Sequence, residues 1–163
     1  MKKLIFILML GICFTQTDDV DNNKSLPNIS DKNNSFAKGL LTNKIPSLIQ
    51  YTHDYKLSDN YAIFGALGLW SWDLWDLFDS GHPLAGLGIA WQSNYNANGM
   101  MIVGSVVYMG DTIRNLSLSY QWRLGKSSNF VSLGGSYVYY SESLEDGSPQ
   151  HDPMPVISFD RRF

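Results

Sequence analysis

The sequence predicts an all-β fold, an antiparallel up-and-down transmembrane β-barrel of about eight strands. Three observations carry that prediction. Short runs rich in aromatic, β-branched and glycine residues recur between clusters of turn residues. In the clearest runs, large apolar side chains alternate with small or polar ones, the two-residue period of a strand with unlike faces. The long connections between runs fall on one side of the implied sheet. Composition agrees with all three. Charged residues make up 17%, below the roughly 25% of soluble domains, while aromatics reach 13%. Mean hydropathy is only −0.14, and beyond the N-terminal segment no stretch approaches the ~18 consecutive apolar residues of a spanning helix.

The chain begins with an export pattern. Met1, Lys2 and Lys3 supply positive charge, 4–14 is an apolar run, and Thr15, Gln16 and Thr17 return to small and polar residues. That order is a signal peptide over 1–15, and its apolar run is too short to span a bilayer. Cys13 raises a lipoprotein reading, against which the bulky β-branched Ile12 before it stands. Cleavage after Thr15 removes the one cysteine of the chain, and with it disulfide and thiol chemistry. The next segment, 16–34, is rich in Asn and Asp and nearly free of large apolar residues, so it reads as a disordered polar leader. The barrel domain then occupies 35–163, a length that suits a single domain.

Strands are expected near 35–42, 46–57, 61–71, 84–94, 99–109, 115–124, 130–141 and 155–163. The first is weakly patterned. In the second, Ile49, Tyr51, Tyr55 and Leu57 oppose Gln50, Thr52, Asp54 and Lys56. The third, 61–71, is an aromatic and glycine-rich run between turn residues. In the fourth, Leu87, Ile89 and Trp91 oppose Gly86, Gly88, Ala90 and Gln92. The fifth and seventh are apolar on both faces and do not discriminate. In the sixth, Leu116, Leu118, Tyr120, Trp122 and Leu124 oppose Ser117, Ser119, Gln121 and Arg123. The eighth runs to Phe163.

The connections test this division. With both barrel ends of the chain on one side, 58–60, 95–98 and 125–129 are short turns there, and 71–83 and 142–154 are long loops on the other. The remaining connections, 43–45 and 110–114, are short. Aromatics gather near both strand ends: Tyr55, Tyr61, Trp91, Tyr95, Trp122 and Phe163 at one, Trp70, Trp72, Tyr108, Tyr139 and Tyr140 at the other. Rings at headgroup level would form two such belts. Trp70, Trp72 and Tyr108 have the opposite parity from the expected lipid face. Gly, Ala, Ser, Gln and Arg opposite the large apolar side chains suit the tight interior of an eight-stranded cylinder. No lysine lies between Lys56 and Lys126, so the outward charge of a soluble barrel is missing. That face pattern places lipid outside.

The eighth strand carries a family resemblance. Ile157, Phe159 and the terminal Phe163 alternate, with Arg161 at a place usually filled by an apolar side chain. With the export segment, this ending resembles that of small bacterial outer-membrane β-barrel proteins of the eight-stranded class. The resemblance implies location in the bacterial outer membrane, contact with outer-leaflet lipids, and handling of Ile157, Phe159 and Phe163 by the barrel-assembly machinery as an assembly signal. It names no molecular task. The expected role is structural or surface-interacting and non-enzymatic, with loops 71–83 and 142–154 outside and side chains filling the lumen.

Several residues are candidates for chemistry. Trp72, Trp75 and Phe78, with Asp73, Asp76 and Asp79, suit an interfacial anchor or a partner-gripping site. Ser80, His82, His151 and Asp152 contain the residue types of acyl transfer. Enzymes that modify lipid A place such groups at the outer rim, although no His-x-Ser pair of the deacylase kind occurs here. A lipid-modifying enzyme and a soluble periplasmic lipocalin-like binding barrel are therefore the alternatives. Arg123, Asp160 and Arg162, with Asp54 and Glu142, are expected to form an interior charge network, paired because a lone charge there is costly. His53 belongs with the barrel wall. No basic patch suits nucleic acid, and neither a metal-ligand cluster nor a cofactor motif is present, so no metal or cofactor is expected.

Overall fold

The computed structural model describes residues 31–71, 81–140 and 150–163. The expected signal peptide, the expected leader as far as residue 30, and Trp72, Trp75, Phe78, Ser80 and Glu142 lie outside the described residues. Eight strands follow in order: β1 (Asn34–Leu41), β2 (Ile49–Lys56), β3 (Tyr61–Trp70), β4 (His82–Gln92), β5 (Gly99–Tyr108), β6 (Thr112–Arg123), β7 (Asn129–Tyr140) and β8 (Gln150–Arg162). Each pairs antiparallel with its chain neighbours, and β1 pairs with β8 to close the barrel. Closure gives most strand N–H and C=O groups a partner and removes most of the exposed edge.

The alternation seen in the sequence sets the two faces. On β6, Ser117, Ser119, Gln121 and Arg123 are buried inside, while Leu116, Leu118 and Trp122 are exposed outside. On β2, Gln50, Thr52 and Asp54 point inward and Tyr51 and Tyr55 outward. The ambiguous strands resolve in the same sense. Met101, Val103 and Val107 of β5 point inward, and Met100, Ile102, Val106 and Tyr108 outward.

Two departures from the sequence expectation matter. Strand β8 begins at Gln150, five residues before the expected 155, although it contains Pro153 and Pro155. Its pairing with β1 stops at Ile157, whereas its pairing with β7 continues to Gln150. Proline, which lacks an N–H, is tolerated along such an edge. The second departure is the β1–β2 connection. Residues 42–48 do not form a short exposed turn; every one is buried. They fold back into the barrel mouth, and Asn43 and Lys44 reach strand residues well down the lumen. Two glycines let strands approach closely. A Cβ on Gly39 would lie 2.8 Å from Ser158 Cα, and one on Gly134 would lie 2.5 Å from Ser119 Cα.

Candidate functional site

The lumen has two polar layers and an apolar cluster. At the end carrying the β2–β3, β4–β5 and β6–β7 turns, Arg162 of β8 crosses the floor. Its guanidinium donates to the Tyr95 carbonyl (2.7 Å), Gln92 Oε1 (3.1 Å) and Gln121 Oε1 (3.0 Å), and lies 4.2 Å from the Phe130 ring centroid. Arg123 closes the same end by donating to the carbonyls of Asn96 (2.5 Å) and Ser127 (2.7 Å). Tyr95 folds under the barrel and is buried instead of joining an aromatic belt. Burial, reinforced by the nearby Asp54 carboxylate, holds its phenol above the ordinary tyrosine range.

The middle layer is built by the inserted connection. Lys44 Nζ donates to Asp54 Oδ1 at 2.5 Å, with both side chains 6% exposed, and reaches Thr52 Oγ1 at 3.4 Å. Its ammonium lies 5.4 Å from the Phe64 ring centroid. Asn43 Nδ2 donates to Asp160 Oδ2 (3.2 Å) and Ser132 Oγ (3.2 Å), and Ser117 Oγ donates to the Asn43 carbonyl (2.6 Å). Asp160 also accepts from Ser158 (3.0 Å) and Ser132 (3.3 Å). Toward the loop end lies an apolar cluster, in which Ile45 of the same connection packs with Phe64, Leu84, Val103 and Val107, and which Met101 extends down to Gln92 at the floor. Trp70, Met109, Tyr140 and Met154 cover it at the loop end, leaving a crevice of about 10 Å³. Trp70 and Tyr140 therefore roof the lumen and do not join an outward belt.

The expected interior residues Arg123, Asp160 and Arg162 thus point inward and are buried. Asp160 and Arg162 are satisfied largely by neutral partners. Lys44–Asp54 is a buried ion pair, and Lys44 is a residue that sequence reasoning missed. The available signal was a cation in the β1–β2 connection, immediately before a strand, β2, whose inward face carries Asp54.

The acyl-transfer candidates do not converge. His82 opens β4 beside Trp70, and His151 sits on β8 beside Tyr139. β4 and β8 are four strands apart in an eight-stranded barrel, on opposite sides of it. Asp152 follows His151 directly in the strand, so its side chain takes the other face. Among the described residues, no cluster of three or more His, Cys, Asp or Glu is placed to hold a metal ion.

The outer wall is the other large feature. Ile63, Leu67, Leu87, Ile89, Ile102, Val106, Leu116, Leu118, Leu133 and Ile157 are all exposed on it. Tyr55, Tyr61, Trp122 and Phe163 are exposed near the turn end, and Tyr108 and Tyr137 near the loop end. Ile157 and Phe163 face outward with Phe159 partly covered. Phe163 continues the ladder, exchanging backbone hydrogen bonds with Asn34 (2.9 and 3.2 Å), and its ring lies 6.3 Å from that of Tyr51. His53 is also outward, with Nδ1 2.8 Å from Asn34 Oδ1. Comparison with protein-family models, curated proteins and solved structures finds no match to this chain.

Proposed function

We propose that this barrel is an integral protein of the bacterial outer membrane with a structural or surface-interaction role. Its lumen is a packed interior rather than a channel, and the end at which β3 leads to β4 and β7 to β8 faces outside the cell. The observation that supports this reading is the inversion of polarity across the wall. Large aliphatic side chains face outward around the barrel, and the buried hydroxyl, amide and charged groups face inward beside one apolar cluster. In water, each large aliphatic side chain left unburied forgoes about 1.5–3 kcal/mol. A handful would match the whole net stability of a small domain, about 5–15 kcal/mol. In hydrocarbon the same wall is solvated. Side chains and the inserted connection occupy the interior, which argues against a ligand cavity of the lipocalin kind. The separation of His82 from His151 argues against an acyl-transfer centre built on that pair.

Cell fractionation tests the proposal. The chain should partition with outer membranes and migrate faster in detergent gels before heating than after, because the closed barrel resists the detergent. Release by osmotic shock in a form soluble without detergent would refute it.

A further inference from the structure

The apolar wall is not uniform. Across β2 to β6 it carries a depression of about 590 Å³, bordered by Tyr51, Gly65, Leu67, Ala85, Leu87 and Val106. Small residues make it. Gly65 and Ala85 face outward between Leu67 and Leu87, and the nearest atom to a Cβ on Gly65 would be Leu87 Cδ2 at 3.8 Å. Just beyond Val106, the wall changes chemistry. Val106 pairs with Arg114, Arg114 with Tyr139, and Tyr139 with His151, so these side chains stand in one outward row near the loop end. The Arg114 guanidinium lies 5.8 Å from the Tyr139 ring centroid. His151 stacks on Tyr139 at 5.1 Å and on Tyr137 at 5.8 Å.

Arg114 is exposed, and among the described residues no carboxylate pairs with it. Outward strand positions among the described residues carry Lys38, Arg114 and Arg161, and no Asp or Glu. A cation on an apolar wall, steadied by an aromatic ring and with no carboxylate partner among the described residues, is complementary to an anionic headgroup. The adjoining groove is complementary to the chain attached to one.

From this juxtaposition we infer that the outer wall holds an anionic, phosphate-bearing lipid of the outer leaflet, its phosphate at Arg114 and His151 and one acyl chain in the groove beside Gly65 and Ala85. The inference rests on the membrane reading above and adds a lipid class and a place. Guanidinium–phosphate contact is charge-assisted and directional, so the headgroup should confer selectivity. The groove should contribute affinity without regard to headgroup charge.

Native mass spectrometry of the full-length barrel, released from micelles doped equally with phosphatidylglycerol and phosphatidylcholine, reads both parts. The wild type should retain phosphatidylglycerol about tenfold over phosphatidylcholine, because the quaternary ammonium of choline offsets the phosphate charge beside the Arg114 cation. Arg114→Gln should abolish the preference, and Arg161→Gln, at the turn end, should leave it intact. Ala85→Phe, which fills the groove, should weaken retention of both lipids. Equal retention by the wild type, or an unchanged preference in Arg114→Gln, would overturn the inference. So would displacement of the lipid by excess inorganic phosphate, or dimers that Ala85→Phe disperses. If the barrel is membrane-borne and heat-modifiable yet shows no lipid preference, this inference alone fails. A chain soluble without detergent would remove the membrane reading as well.

Discussion

Lys44→Met tests whether the inserted connection is held by charge. The substitution keeps the length of the stem and its contact with Phe64, but leaves the Asp54 carboxylate 6% exposed without its cation. At the observed 2.5 Å and an effective dielectric of about 20, the Coulomb attraction is about 6–7 kcal/mol. Desolvation of both ions offsets much of that gain. The single variant therefore loses the pair while still burying one charge, which costs about 3–5 kcal/mol. Equilibrium urea unfolding of the micelle-reconstituted barrel, followed by tryptophan fluorescence, measures it. With a slope near 2 kcal/mol/M, the midpoint should fall by about 1.5–2.5 M. Lys44→Met combined with Asp54→Asn removes both charges and should recover most of the loss, because the pair as a whole contributes little beyond specificity. The reasoning is wrong if the single variant shifts the midpoint by less than about 0.5 M, or if the double variant is no better than the single.

Other expectations follow from close approaches and buried groups. Gly134→Val drives a side chain into the β6 backbone at Ser119 and should prevent compact migration of the unheated protein, while Gly135→Val, whose added Cβ meets nothing within 4 Å, should migrate normally. Arg162→Met leaves the Tyr95 carbonyl and the amide oxygens of Gln92 and Gln121 without their shared donor; unfolding should show a loss of about 3 kcal/mol or more. Tyr95 has a raised folded-state pKa, so its neutral phenol stabilises fully below the unfolded value of about 10 and less as pH rises through the folded value. Barrel stability should therefore drop above about pH 10, a drop that Tyr95→Phe reduces in pH-dependent unfolding.

The wall and the faces of β2, β4 and β6 were legible because each has an apolar and a polar side, so period-two alternation fixes the geometry. β5 and β7 were not, for a reason visible in the lumen. Part of its lining is itself apolar, so Met101, Val103, Val107 and Val138 face inward with the same chemistry as their outward neighbours. The path of residues 42–48 was illegible for another reason. Nothing local distinguishes a connection that folds inward; its direction is set by distant partners such as Asp54, Asp160 and Ser117. The belts illustrate the same limit. Tyr95, Trp70 and Tyr140 lie at strand ends, but their direction depends on strand parity and on how each connection turns. Convergence of His82 and His151 also depended on strand position around the circumference, which the order of strands reveals and residue type does not.

The polarity of the wall is open to one direct measurement. Leu118 stands outward on β6, so a Leu118→Trp variant with the five native tryptophans changed to Phe reports on that surface alone. In bilayers of acyl-brominated lipid, its fluorescence should be strongly quenched, and aqueous iodide should have little effect. Quenching by iodide with none from the brominated chains would contradict a lipid-facing wall.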